Sequence, residues 1–297
     1  MNSIEVEPYK ISEFGTGYRI QFSAMASDCS VLVDSERSSL ADEIADIASK
    51  EAHRIERTFS RYREGNIIHS INHANGKTVT VDSETARLID FSEQLFTLSH
   101  GVFDITSGIL GTIWRFDKSD KIPDRNAAKR LLPRIGWDKV SWDPPNIQMP
   151  AGMQLDLGGI GKEYAVDRTL QLINQKTEQP VLINFGGDIV ANKPPKGGHW
   201  SVGVTVDNQN ENIVIHMKSG GLATSGDAHR YLRKNGKRYS HILNAKTGWP
   251  VAHAPRSVTV AARTCVEAGM LATLTMLKGK DAEAFAKNEQ LTHWIQR

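Results

Sequence analysis

The sequence predicts an α+β protein, with mixed or antiparallel sheets and packed helices in one interlocked domain. Three observations predict it. Residues 18–33 read as a strand pair, and 200–206 with 213–217 read as another. Stretches 40–59 and 83–99 repeat apolar residues at the three-to-four spacing of a helix with one buried face, and 264–277 reads as an apolar helix. Segments that could carry chemistry run from residue 25 to 273 without a break in composition, an internal repeat or a low-complexity linker. A chain of 297 residues could hold two domains of roughly 150 residues, yet nothing marks a boundary.

In chain order, the small and polar middle of the first pair, Ala24 to Asp28, predicts a turn or bulge. Ser39-Leu40-Ala41-Asp42 resembles a capping box, and Leu40, Ile44, Ile47, Ala48, Ala52, Ile55 and Phe59 follow at helical spacing. His69 and His73 lie four apart, but no third ligand stands nearby, so zinc is not expected. The second helix carries Leu88, Phe91, Leu95 and Leu98 and stops at Gly101. An Asp and hydroxyl residues come next in Val102-Phe103-Asp104-Ile105-Thr106-Ser107, which also suits ordinary turn chemistry. Residues 115–150, rich in Pro, Lys, Asp and Trp, suit a surface excursion or a small subdomain.

Residues 153–170 organise the rest. Met153, Leu155 and Leu157 predict a strand bearing Asp156, followed by the turn Gly158-Gly159-Ile160-Gly161 and a helix with Lys162 in its first turn. A helix entered through glycines offers free N–H groups and a partial positive charge, and Lys162 adds a full one, so a phosphorylated ligand is the first hypothesis. Neither nucleotide motif applies. Glu163 stands where Walker A needs Ser or Thr, and Tyr164 stands where the dinucleotide fingerprint needs a third glycine. Downstream, Val181–Phe185 predicts a buried strand that runs into Gly186-Gly187-Asp188, and 257–262 predicts another strand.

Composition narrows the class. Hydrophobic (39%) and charged (24%) fractions are those of a globular protein, and a net charge of +2 without basic runs excludes a nucleic-acid partner. Cys29 and Cys265 have apolar neighbours and form no metal spacing, so buried thiols are expected. No membrane span and no basic, apolar leader is visible, which predicts a cytoplasmic protein.

The order of these segments resembles the FAD:protein FMN transferases, the ApbE family. The matching pieces are Ser60-Arg61-Tyr62 with Asn72, Phe103-Asp104-Ile105-Thr106, Leu155-Asp156-Leu157-Gly158-Gly159-Ile160-Gly161-Lys162, and Asn184 to Asp188. They continue with Thr224-Ser225-Gly226, Ser240-His241-Ile242 with Thr247-Gly248, and Ser257-Val258-Thr259-Val260. The resemblance implies a T-fold-like domain with its active site in a central cleft. It also implies an Mg²⁺-dependent reaction that moves FMN from FAD onto a Ser or Thr of an acceptor flavoprotein and releases AMP. By resemblance, Met25, Tyr62, Val102, Phe103, Asp104, Asp156, Lys162 and Leu243 line the FAD site. Mg²⁺ takes the Gly159 carbonyl and the Thr273 hydroxyl. His241 is the candidate base for the acceptor hydroxyl. Asp188, Thr224, Ser225 and Asp227 either touch the ribose and adenine or serve only their own turns.

Three positions depart from the pattern. Met25-Ala26-Ser27 replaces Met-Gly-Thr, Glu163 follows the lysine in place of glycine, and Gly269 stands where many relatives put a metal-binding Asp. Glu163 or Glu267 is therefore expected to supply a carboxylate. The competing readings are FAD hydrolysis to FMN and AMP, a flavin-binding protein without catalysis, and, more distantly, a Ser225/His241/Asp227 hydrolase lacking the usual nucleophile elbow.

Overall fold

The structure, a computed structural model, describes residues 9–205, 212–227 and 230–297. An eight-stranded antiparallel sheet dominates it, in the order Lys10–Phe14, Gly17–Ala24, Ser27–Val33, Val181–Phe185, Asp188–Ala191, Gly220–Gly226, Ser257–Ala262 and Thr292–Gln296. Alternation along each strand sorts side chains between its faces. Val31, Ile183, Phe185 and Val190 join the main core beneath the helices α1 (Ser38–Phe59) and α5 (Gly161–Asn174). Leu182, Ile189 and Leu222 face the other way, against Trp200, Val202 and Met217 of the hairpin Trp200–Thr205/Asn212–Met217. Both sides of the central strands are therefore buried, which is why Val181, Leu182, Ile183 and Phe185 are apolar, with only the half-buried Asn184 polar. Val206, expected to extend that hairpin, lies outside the described residues. The α+β expectation holds, with every ladder of the main sheet antiparallel.

The hairpin predicted at 18–33 turns through Met25 and Ala26, both with positive φ (52° and 53°), directly between the paired residues Ala24 and Ser27. Two successive left-handed residues match the twist of a two-residue hairpin, though neither is glycine. The helix expected at 83–99 is α3 (Ser83–Leu98), and the Asp82 side chain caps it by accepting from the Glu84 and Thr85 amides. Between α1 and α3 lies the short α2 (Ile67–Asn72). Residues 115–150 hold α4 (Arg125–Leu131) and the strands Ser141–Asp143 and Asn146–Gln148, and they bury Trp137 and Ile147.

Two local expectations fail. The capping box at Ser39 does not form. α1 starts at Ser38 after Arg37, whose side chain makes no cap bond, so Ser39 already sits inside the helix. Burial of Leu40, Ala41 and Ile44 holds that first turn instead. Residues 153–157 are not a strand either. Met153, Leu155 and Leu157 are buried in alternation, but the segment has only an isolated bridge from Gln154 to Ser107. Its polar groups go elsewhere: Asn72 both accepts from the Leu155 amide and donates to the Leu155 carbonyl, and the Asp156 amide donates to the Ile105 carbonyl.

The last two helices are α6 (Cys265–Leu277) and α7 (Ala282–Asn288). The start of α6 is tied to α5, because the Asp167 carboxylate accepts from the amides of Cys265 and Val266, each at 2.9 Å. This bond fixes the register of the two helices. Asp167→Ala leaves two amides unsatisfied in a partly buried junction and is expected to destabilise the protein by about 2 kcal/mol. Urea unfolding would show it as a lower midpoint at unchanged slope.

Candidate active site

The candidate residues gather where the tips of two hairpins meet the entrance of α5. One tip is Met25-Ala26. The other is Gly186-Gly187, with φ of 63° and 99°, and Asn184 Oδ1 accepts from the Gly187 amide at 2.8 Å. The tips touch: a Cβ on Gly186 would lie 2.7 Å from Ser27 Cβ and 3.5 Å from Lys162 Nζ. Lys162 is therefore aimed at the junction, and it pairs at 3.4 Å with Asp188 Oδ2 just past the glycine tip. Burial raises the Asp188 carboxyl above its ordinary range, while Lys162 opposes the shift. The α5 N-cap, Ile160, has no side chain able to cap; the Gly161 amide donates to the Leu157 carbonyl, and among the described residues the Lys162 amide is left for a ligand.

Arg61 fixes the turn before α5. Its Nε lies 3.1 Å from Asp156 Oδ2 but is not aligned for a hydrogen bond, and its Nη1 donates to the Gly108 carbonyl. Asp156 Oδ1 accepts from the Gly158 amide at 2.8 Å. A Cβ on Gly111 would overlap the Arg61 guanidinium, so glycine there lets the side chain through. Sequence reading placed Arg61 in a motif but missed this role; the glycines at 108 and 111 were its only trace. Arg61 also lies over the Tyr62 ring at 4.7 Å. That ring is 83% exposed and free to stack on a planar group.

Phe103 packs near Gly159, 3.4 Å from where a Cβ would stand. Asp104, in contrast, is consumed by its own loop. Oδ1 accepts from the Thr106 amide and hydroxyl, and Oδ2 accepts from the Trp137 amide. Burial nevertheless raises its carboxyl above the usual range. Val102 accepts from the Ala245 amide and so ties that loop to the Leu243–Asn244 strand, whose Leu243 packs into the cluster around Trp114. A cavity of about 410 Å³ borders the Met25 tip, and one of about 580 Å³ is lined in part by Phe96, Gly101, Asp104 and Lys246. Neither is lined by Lys162, whose side chain is about one third exposed.

His241 is half-buried, and its Nδ1 lies 3.1 Å from the Arg230 carbonyl. A carbonyl only accepts, so Nδ1 carries the proton and Nε2 keeps a lone pair. Burial first, then the Arg230 charge, lowers its pKa, and Lys162 acts in the same direction. The ring is therefore neutral and basic near pH 7. Asp227 does not orient it: Arg238 and Arg256 bind its two carboxylate oxygens at 2.9 and 3.1 Å. The Ser225/His241/Asp227 hydrolase reading falls on that geometry. Thr224 Oγ1 lies 2.8 Å from Thr259 Oγ1 across the sheet, and Ser225 is half-buried beside it on the same strand.

On α6, the Gly269 Cα opens a gap that another residue fills. A Cβ built there would lie 2.7 Å from both Cγ and Oε1 of Glu163. Burial and then the Asp188 charge raise the Glu163 carboxyl well above its ordinary range. Glu267, the other expected substitute, instead accepts from the Arg263 amide and pairs with its side chain at 3.7 Å. Among the described residues no group of three or more His, Cys, Asp and Glu is placed to hold a metal, and the stacked His69 and His73 rings have no third ligand. Such a trio is not required for Mg²⁺, which takes one or two carboxylates and keeps waters and substrate phosphates. Both cysteines are buried; Cys29 is pushed up to about 12 and Cys265 well above its ordinary value. Among the described residues no helix is long and apolar enough to cross a membrane.

The fold and sequence recur in known proteins. The FAD:protein FMN transferase of Haemophilus influenzae is 27% identical over 234 residues, covering 74% of this chain and 68% of that protein. The one from Chlamydia muridarum is 29% identical and covers 72% of each. The ApbE protein of Thermotoga maritima superposes with a TM-score of 0.83 at 30% identity over 97% of this chain and 94% of that one. The apo flavinyl transferase ApbE of Pseudomonas stutzeri, at 22% identity and a TM-score of 0.81, shares the fold. The model of the ApbE family matches residues 14–295, nearly the whole chain, and this protein belongs to that family.

Proposed function

We propose that this chain is an Mg²⁺-dependent FAD:protein FMN transferase, with FAD and an acceptor flavoprotein as its substrates. One observation carries the reading: Lys162 projects from the uncapped start of α5 into the junction of two hairpin tips, where a diphosphate would meet an ammonium and the positive end of a helix together. The names of the curated relatives supply the flavin chemistry.

Phosphoryl transfer needs positioning and charge neutralisation more than covalent help from the protein. Lys162 and the first turn of α5 hold the diphosphate, and Tyr62 offers its exposed face to a ring of the dinucleotide. His241 Nε2 takes the proton of the acceptor Ser or Thr as its oxygen bonds to the FMN phosphorus. The P–O bond to AMP breaks and AMP leaves with that oxygen. Thr273 on α6 and Glu163 beside Gly269 are suited to a hard cation. Bound Mg²⁺ would supply charge stabilisation of the diphosphate.

The test is incubation with FAD, Mg²⁺ and an acceptor domain bearing one Ser or Thr site. Flavin fluorescence that stays with the denatured acceptor, with one AMP per flavin, is the expected result. AMP without labelled acceptor would replace transferase by hydrolase, and bound but intact FAD would reduce the chain to a binding protein.

A further inference from the structure

We propose that the carboxylate for the divalent cation in this chain comes from α5, through Glu163, and not from the side of α6 that faces it. Glu163 and Gly269 form a matched pair. The Glu163 side chain occupies the space any side chain at 269 would need, since the Cβ would stand 2.7 Å from its Cγ and Oε1. Among the described residues no other side chain hydrogen-bonds to or ion-pairs with that carboxylate; Lys162, the next residue back along α5, is paired with Asp188.

The helix register leads to the same place. Asp167 on α5 binds the amides of Cys265 and Val266 at the start of α6. One turn back along α5 is Glu163, and one turn forward along α6 is Gly269, so the helices run antiparallel here and the two residues face each other. A further equal step leads to Gly159 in the turn before α5 and to Thr273 on α6. The Thr273 hydroxyl has no hydrogen-bond partner among the described residues, unlike Thr275, which donates to the Leu271 carbonyl. A carboxylate facing α6 and a hydroxyl one turn further along α6, with the carbonyls of the turn before α5, would make an all-oxygen set that leaves room for waters and a phosphate, as a hard divalent cation requires.

This inference rests on the flavin-transfer reading only for the role of the cation; whether Glu163 binds it can be tested without flavin. The experiment titrates the full chain with Mn²⁺ alone and follows the free-ion signal by electron paramagnetic resonance. Wild type is expected to bind one Mn²⁺, and Glu163→Gln to bind it at least about tenfold more weakly. The double variant Glu163→Gly/Gly269→Asp moves the carboxylate across the helix pair and is expected to recover most of the affinity. It also decides the case if Glu163→Gln does not fold. Gly269→Asp alone puts a side chain into occupied space and is expected to lower the melting temperature. Wild-type Mn²⁺ affinity in Glu163→Gln, no recovery in the double variant, or no Mn²⁺ binding by wild type would each overturn the proposal. FAD binding by wild type in EDTA is measured in parallel. Its absence, with Mn²⁺ binding still dependent on Glu163, sinks the flavin reading and leaves this one standing.

Discussion

His241→Ala is expected to lower the rate of FMN transfer by about 10²–10⁴ while FAD still binds, the usual range for loss of a positioned base. The prediction follows from one hydrogen bond. With Nδ1–H donated to the Arg230 carbonyl, the free lone pair is on Nε2, and burial keeps the ring neutral. The pH dependence carries a sign. The neutral form is active and its pKa lies below the ordinary histidine value, so the acid limb of kcat is expected below pH 6.5 rather than at it. The same shift means the unfolded chain holds the extra proton more tightly. The histidine's contribution to stability therefore rises with pH through the window between its lowered pKa and 6.5, and is lost as pH falls through it. An acid limb above 6.5, or a variant with wild-type kcat, would remove His241 from the mechanism.

Lys162→Met is expected to do two separable things. It deletes a charged contact to the diphosphate and should weaken FAD binding about 30-fold, or about 2 kcal/mol. It also strands the Asp188 carboxylate, whose side chain is only 10% exposed, without its counter-charge. Removing one partner of a fully buried pair costs about 3–5 kcal/mol. Lys162 is 31% exposed, so solvent screening brings the expected loss of stability down to about 2 kcal/mol. Lys162→Met/Asp188→Asn should then recover most of the stability but none of the FAD affinity. Calorimetric titration together with urea unfolding of the three proteins reads both terms.

Much of the fold was legible because its signals are local. The helical spacing in α1 and α3, the apolar stretch of α6 and the apolar run Val181–Ile183 all report burial. What escaped was hydrogen bonding over distance. Met153, Leu155 and Leu157 alternate as a strand would, but the partners that satisfy this backbone are Asn72 and Ile105, far away in the chain. Ser39 looked like a cap because a sequence pattern cannot show that the buried Leu40–Ile44 face carries the helix past it. The site shows the same divide. The segment Gly158 to Lys162 announces itself, whereas Arg61 supporting Asp156 and Asp167 holding α6 arise only from tertiary contact. Gly269 reads as a missing ligand in one dimension. In three it is the space that Glu163 fills.

The claim beneath all of this is that a dinucleotide's diphosphate sits against Lys162 and the first turn of α5. A crystal soaked with FAD and Mg²⁺ tests it most directly. Phosphate oxygens are expected within hydrogen-bond distance of Lys162 Nζ and the Lys162 amide, with a flavin or adenine ring over Tyr62. Density for FAD confined to the cavity between Phe96 and Lys246, with nothing at Lys162, would contradict it.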